Sequence, residues 1–314
     1  MSDSRTLLGD AARRLAAAGV DNPRLDARVL WEEANAVHPP LEGVSKFAER
    51  REANFGEGYA VTGTSAYPSP NDFTPFDRST LPQGQGEVEE RFASFIDRRC
   101  AREPLAYIAG HKEFWSLDFE VGPGVLVPRP ETETIIEQAL ALLPDRSAPL
   151  KVLDLGTGSG CLLVAFLKEF PNSSGLGIDC SEQARRYASA NIARHGLVER
   201  AEVRPGNWGE KTAGRWDVIL SNPPYIKSAD IAGLAPEVRF EPIEALDGGP
   251  DGLVAIRALA KAMAQLLGGI GLTEIGAGQK ATAANVMVEA GLVVPRIAED
   301  LAGIPRVLVT HPAD

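Results

Sequence analysis

Apolar positions set the first divisions of the chain. Leu7, Leu8, Ala11, Leu15 and Ala18 recur at helical spacing, and Gly19 closes that run. Asp21-Asn22-Pro23 restarts it, with a capping residue before a proline in the first turn. The second helix then carries Leu25, Val29, Leu30 and Ala34, so that 5–37 reads as two helices. A third, Glu87 to Arg102, places Val88, Phe92, Phe95 and Ile96 on one side. Residues 111–133 alternate like short strands broken by Gly122-Pro123-Gly124, which predicts a hairpin. From residue 130 the pattern becomes helix, strand, helix, strand. Helices are expected near 131–143, 160–169, 181–195 and 251–267, with another after Gln279. Strands are expected at LKVLDLG, GLGID, AEVRP, DVILSN and LTEIG, and a last one near 306–309. Such alternation predicts a mostly parallel sheet with helices on both faces, an α/β Rossmann-like fold.

Three regions follow: a helical N-terminal domain over 1–110, a linking β-hairpin over 111–129, and an α/β domain over 130–314. The first is interrupted at about 38–86. Within it, about half of 56–86 is Gly, Pro, Ser or Thr, a composition that cannot supply a packed core. A solvated insertion is the expectation there, although Tyr59, Tyr67, Phe73 and Phe76 leave room for a docking surface.

Composition narrows the partners. The 314 residues carry a net charge of −11, which argues against broad duplex-DNA binding, since phosphate contacts need clustered Lys and Arg. Cys100, Cys161 and Cys180 lack metal or disulfide spacing. The four histidines form no metal or triad pattern. No signal peptide and no long apolar run are found. A cytoplasmic, monomeric protein without membrane or direct nucleic-acid contacts is expected.

Two stretches carry candidate chemistry. Val152 to Leu155 is a buried strand emptying into Gly156-Thr157-Gly158-Ser159-Gly160, directly before a helix. Glycines let backbone approach a ligand, and the helix start offers free N–H groups. The spacing is neither a dinucleotide fingerprint nor a P-loop, which would need a Lys. Asp154 before the loop and Asp179 ending the next strand suit a nucleoside, and the combination points to S-adenosylmethionine. Asp154 would lie near its amino-acid end, Asp179 at the ribose, and Trp208 over the adenine. The second stretch is Asn222-Pro223-Pro224-Tyr225, after the apolar run DVILS. Pro223 holds Asn222 extended, and neither proline has an N–H. The Asn222 side-chain oxygen and the Pro223 carbonyl could accept both hydrogens of a planar NH2 group, with Tyr225 packed against it. Methyl transfer to that nitrogen then needs neither a metal nor a strong base.

DLGTGSGC with SNPPY resembles the amino-group methyltransferases. Further segments narrow this: DNPRLDARVL, EPLAYIAGHKEFWSLDFEV, LVPRPETE and EPIEALDGGPDGL. Together they resemble the peptide-chain release-factor glutamine N5-methyltransferases. The likeness covers nearly the whole chain except about 38–86. It implies a class I S-adenosylmethionine-dependent methyltransferase domain that methylates the glutamine of the Gly-Gly-Gln motif in class-1 release factors, leaving S-adenosylhomocysteine. By motif it places Gly156 to Gly160, Asp179 and Trp208 at the cofactor, and Asn222 to Tyr225 at the substrate glutamine, with Asn222 also beside the cofactor. The N-terminal domain and hairpin would dock the release factor, and Arg129 and Glu131 could support the cofactor pocket or simply form a helix-start cap and ion pair. Phe114 has either a family role or a core role. One departure is Gly206-Asn207-Trp208, where the family usually has Gly-Asp-Trp. Alternatives from the residues are a ribosomal-protein glutamine methyltransferase, an adenine-N6 DNA methyltransferase and a catalytically silent binding protein.

Overall fold

The computed structural model describes residues 4–36, 84–210 and 212–313, so nearly all of the Gly/Pro/Ser-rich insertion lies outside the described residues. The chain forms two units, Met1–Ala109 and Gly110–Asp314.

In the first unit, α1 (Ser4–Ala17), α2 (Pro23–Asn35), α3 (Gln85–Cys100) and the short α4 (Leu105–Ala109) enclose an apolar centre. Leu15, Leu30, Phe92 and Ile96 are buried there, and Trp31 meets Phe92 edge-on at 5.1 Å. Pro23 opens α2 as expected, but the Asn22 side chain makes no cap bond; its backbone carbonyl accepts from Asp26 N instead. Asp26 is spoken for: its carboxylate accepts from Arg99 Nε at 2.8 Å, and both side chains are buried.

The second unit begins with a hairpin, β1 (His111–Phe114) against β2 (Leu117–Glu120). It reverses at Trp115-Ser116, with φ of 54° and 56°, rather than at Gly122-Pro123-Gly124, which follows β2. Two positive φ values at a two-residue turn match the twist of a hairpin, yet Trp and Ser are poor residues for them. Tertiary bonds hold the turn: Trp115 N and Nε1 donate to Glu133 and Glu169, each at 2.7 Å. Phe114 is 1% exposed and packs against Phe119, so its role is in the core.

A seven-stranded sheet follows, in the order β5-β4-β3-β6-β7-β9-β8. Its parallel part comprises β3 (Lys151–Leu155), β4 (Ser174–Asp179), β5 (Ala201–Pro205), β6 (Trp216–Ser221) and β7 (Leu267–Glu274). Strands β8 (Leu292–Glu299) and β9 (Pro305–Pro312) complete it antiparallel. Helices α5 (Glu133–Leu142), α6 (Cys161–Glu169), α7 (Glu182–Arg194), α8 (Val254–Leu266) and α9 (Lys280–Glu289) cover both faces. Alternation along β3 sends Val152 into the core under α5 and α6, and Leu153 and Leu155 into the core under α8 and α9. Both faces are therefore apolar, and the strands read as continuous hydrophobic runs.

Strand β8 was not expected from the sequence. It contains Pro295, which weakens the strand signal, and the structure tolerates it because β8 is an edge strand whose pairing shifts between Val293 and Arg296.

Candidate active site

The order of strands reverses at β3, between β4 and β6, and ligands of open α/β sheets bind beyond the carboxyl ends at such a point. The glycine loop, Asp179 and the Asn-Pro-Pro-Tyr segment follow the ends of these three strands. The topology thus brings together residues that are about 65 positions apart.

Gly156, Gly158 and Gly160 all have positive φ, at 75°, 55° and 79°. Side chains there would be strained. A Cβ on Gly160 would also approach Ala188 of α7 to 3.2 Å, so the loop lies close against that helix. Asn191, fully buried on α7, donates to the Ser159 carbonyl and to the Glu120 carbonyl while its oxygen accepts from Glu120 N. One amide thus fastens the loop to the hairpin strand.

Asp154 is fully buried. Its Oδ2 accepts from the Thr157 hydroxyl at 2.6 Å, but Oδ1 has no partner. Burial outweighs the Thr157 bond and pushes the carboxyl up to about 7, with nearby Asp179 adding to the rise. Asp179 accepts from Gly158 N and Ser181 N, each at 2.9 Å, and burial raises it as well. Those two bonds occupy half of the roughly four acceptor positions of a carboxylate, so further donors could still be accepted. Trp208, half-buried with φ of 47°, lays its ring over the loop: a Cβ on Gly156 would lie 3.7 Å from Cζ3. These features fit a cationic nucleoside: an orphan buried acceptor, a carboxylate on backbone N–H groups, and a ring wall beside an open glycine backbone.

Ser221 ends β6 and donates to the Leu155 carbonyl at 2.6 Å, tying the two strand ends together. Next, Asn222 Nδ2 donates to Thr132 Oγ1 at 3.0 Å. Tyr225 donates its hydroxyl to Glu274 Oε1 at 3.2 Å, and burial beside that carboxylate raises the phenol. The segment 246–253 locks the turn from outside. Gly248 N donates to the Ile226 carbonyl and Ile226 N to the Leu246 carbonyl, while Gln279 Nε2 donates to the carbonyls of Tyr225 and Gly252. Gly252 has φ of 76°, and a Cβ on it would meet the Tyr225 carbonyl oxygen at 2.5 Å.

Asn222 to Tyr225 line a cavity of about 190 Å³ together with Arg129 and apolar walls that include Leu126 and Val238. Arg129 donates to Glu241 Oε1 at 2.5 Å, and Val127 N donates to its other oxygen at 3.0 Å. Glu241 is 4% exposed; burial raises its carboxyl and Arg129 opposes the rise. Arg129 is thus held by an ion pair across 112 positions rather than by a local one.

The glycine loop, Asp154, Asp179, Trp208 and Asn222 to Tyr225 were all legible in the sequence. Thr132, Asn191, Glu241, Glu274 and Gln279 were not singled out. Each lies in or near a segment of recognisable pattern, but its importance comes from a partner far along the chain. Among the described residues, no helix is long and apolar enough to cross a membrane.

Comparison with known proteins places this geometry. The methyltransferase small domain model matches residues 137–238. A release factor glutamine methyltransferase of Rhodospirillum rubrum is 40% identical over 97% of this chain and 84% of its own length. One from Agrobacterium fabrum is 36% identical over 95% and 93%. Among solved structures, the hMettl16 catalytic domain in complex with MAT2A 3′UTR hairpin 6 shares the fold, with a TM-score of 0.52 and 16% identity over 72% of this chain and 82% of that one. Sheet order, glycine loop and near full-length likeness to the curated relatives converge: the chain belongs to the release factor glutamine methyltransferase family.

Proposed function

We propose that this protein transfers a methyl group from S-adenosylmethionine to the side-chain amide nitrogen of the glutamine in the Gly-Gly-Gln motif of class-1 release factors. The observation that carries the reading is the posture of Asn222. Its NH2 is engaged by Thr132, which turns Oδ1 away from that anchor and leaves it an acceptor beside a cavity of side-chain size.

The bound cofactor supplies an electrophilic methyl on a cationic sulfur and is left as S-adenosylhomocysteine. Asp154 Oδ1 receives the ammonium of its amino-acid end, since this buried oxygen has no other partner. Asp179 accepts from the ribose hydroxyls, Trp208 covers the adenine, and the open backbone of Gly156 to Gly160 admits the nucleoside closely. At the acceptor, Asn222 Oδ1 and the Pro223 carbonyl take the two amide hydrogens. An amide nitrogen has a delocalised lone pair; holding its hydrogens out of plane favours the tetrahedral character needed as the N–C bond forms. Orientation of this kind is worth about 7–11 kcal/mol. Tyr225 packs on the planar group, and its raised phenol stays protonated, so it takes no part as a base. The nitrogen's proton leaves to water after transfer. No metal enters this scheme. The helical first unit and the β1–β2 hairpin dock the release factor, and a monomer without direct nucleic-acid contacts suffices.

The test incubates labelled S-adenosylmethionine with purified release factor, ribosomal large-subunit protein and DNA separately. Label is expected only in the release factor, on the Gly-Gly-Gln glutamine; label in either other substrate instead overturns the assignment. Asn222→Ala should bind cofactor nearly normally and turn over about 10²- to 10³-fold more slowly, the loss typical of one oriented polar group.

A further inference from the structure

Three polar side chains line the cavity, those of Arg129, Asn222 and Tyr225, and the scheme above uses only the last two. The methyl acceptor is an amide, so it brings an oxygen as well as two hydrogens. Asn222 Oδ1 and the Pro223 carbonyl serve the hydrogens and leave that oxygen without a donor. An amide oxygen taken out of water needs one. Tyr225 commits its single hydroxyl hydrogen to Glu274, and Asn222 commits one NH2 hydrogen to Thr132. Arg129 is the richer source. A guanidinium carries five N–H groups, and among the described residues its one hydrogen bond runs from Nη2 to Glu241 Oε1 at 2.5 Å.

We propose that Arg129 is the specificity-determining donor of this site, placing a guanidinium N–H on the side-chain oxygen of the substrate glutamine, with Glu241 as the residue that positions it. Glu241 is 4% exposed, and its two oxygens take Arg129 Nη2 and Val127 N, so one carboxylate fixes both the side chain and the backbone that leads to it. The same ion pair balances the charge of Arg129, which suits a site that must also admit a cationic sulfur. Two acceptors facing an NH2 and a donor facing an oxygen match a carboxamide. They mismatch a carboxylate, which would turn an oxygen toward the two acceptors. The assignment rests on the reading of Asn222 as acceptor given above.

Amide resonance sets the direction of the effect. A donor on the oxygen draws the nitrogen lone pair toward the carbonyl. That bond is strongest before transfer and fades as the N–C bond forms and the lone pair leaves the π system. Binding that does not grow in the transition state lowers KM without raising kcat. Arg129 therefore holds the glutamine and Asn222 activates it.

The experiment measures release factor binding by calorimetry with S-adenosylhomocysteine present, and turnover with labelled S-adenosylmethionine, on the full chain. Arg129→Met keeps the apolar stem and removes the donors. It should bind release factor about 10- to 100-fold more weakly, as for a lost hydrogen bond to a charged group, with cofactor affinity unchanged and kcat within about threefold. Arg129→Lys, which keeps the cation without the planar fork, should fall between. Because Arg129→Met leaves Glu241 buried without its cation, Arg129→Met/Glu241→Gln should melt closer to wild type while the affinity stays lost. A second release factor carries methionine in place of the Gly-Gly-Gln glutamine. The wild-type preference for glutamine over methionine should shrink about 10- to 100-fold in the double variant. A preference that holds within about twofold, or a loss confined to kcat, overturns the assignment while labelling of release factor by the wild type upholds the methylation reading. Wild-type protein that labels no release factor brings down both.

Discussion

Asp154→Asn should make the protein without cofactor more stable and make it a poorer cofactor binder. The carboxyl is fully buried, and burial lifts it from 3.8 to about 7. The fold therefore prefers the neutral acid. That contribution is fully present below the unfolded value and is lost as pH rises through about 7. At about 1.4 kcal/mol per pH unit, the ionised side chain weakens the free protein above pH 7 by roughly 4 kcal/mol. Asn is nearly isosteric and carries no charge. It keeps an oxygen for the Thr157 hydroxyl, but its NH2 replaces an orphan oxygen and remains buried without an acceptor, costing about 1–3 kcal/mol. The net gain at pH 8 is then about 1–3 kcal/mol, or roughly 2–12 °C in the Tm of a unit of this size. At pH 4 the ordering should reverse, because wild-type Asp154 is then neutral without titration cost. Thermal melts without cofactor at pH 4 and pH 8 measure this directly. Calorimetric titration with S-adenosylmethionine in buffers of different ionisation enthalpy supplies a second check. Pairing with a cationic amino group draws Asp154 into its charged form, so about half a proton should be released per cofactor bound at pH 7. A variant less stable than wild type at pH 8, or binding with no proton release, would refute this account of the buried oxygen.

Gly252→Ala places a Cβ 2.5 Å from the Tyr225 carbonyl oxygen at a φ of 76°, so the Asn-Pro-Pro-Tyr turn must shift. Turnover should fall about 100-fold, the cost of misplacing a reacting group by an ångström, while cofactor affinity measured by calorimetry holds. Trp208→Ala removes the ring over the glycine loop and should weaken cofactor binding about 3- to 10-fold, in line with aromatic contacts of about 0.5–1.5 kcal/mol; unchanged affinity would place the adenine elsewhere. In the helical unit, Asp26→Ala leaves the Arg99 guanidinium buried without its carboxylate. A loss of about 3–5 kcal/mol should appear in denaturant unfolding followed by Trp31 fluorescence, and a loss below 1 kcal/mol would mean the site rehydrates.

Local chemistry was written into the chain and could be read there. Period-two and continuous apolar runs specify the strands because side chains alternate and both sheet faces are covered. Three glycines at positive φ, a proline pair and the Asp154–Thr157 bond act through their own backbone or near neighbours, so their meaning survives in one dimension. The turn at Trp115-Ser116 and strand β8 did not, because long-range bonds and an edge position overrule residues with poor local propensity. The same holds for the polar groups behind the site. Thr132, Glu241, Glu274 and Gln279 matter through partners between 27 and 114 positions away. A hydrogen bond is decided by distance in space, and only the closing of the sheet brings those donors and acceptors within reach. The segments that make up the candidate site were therefore set by the sequence, and the bond that turns the Asn222 amide, to Thr132 90 positions away, was set by the fold.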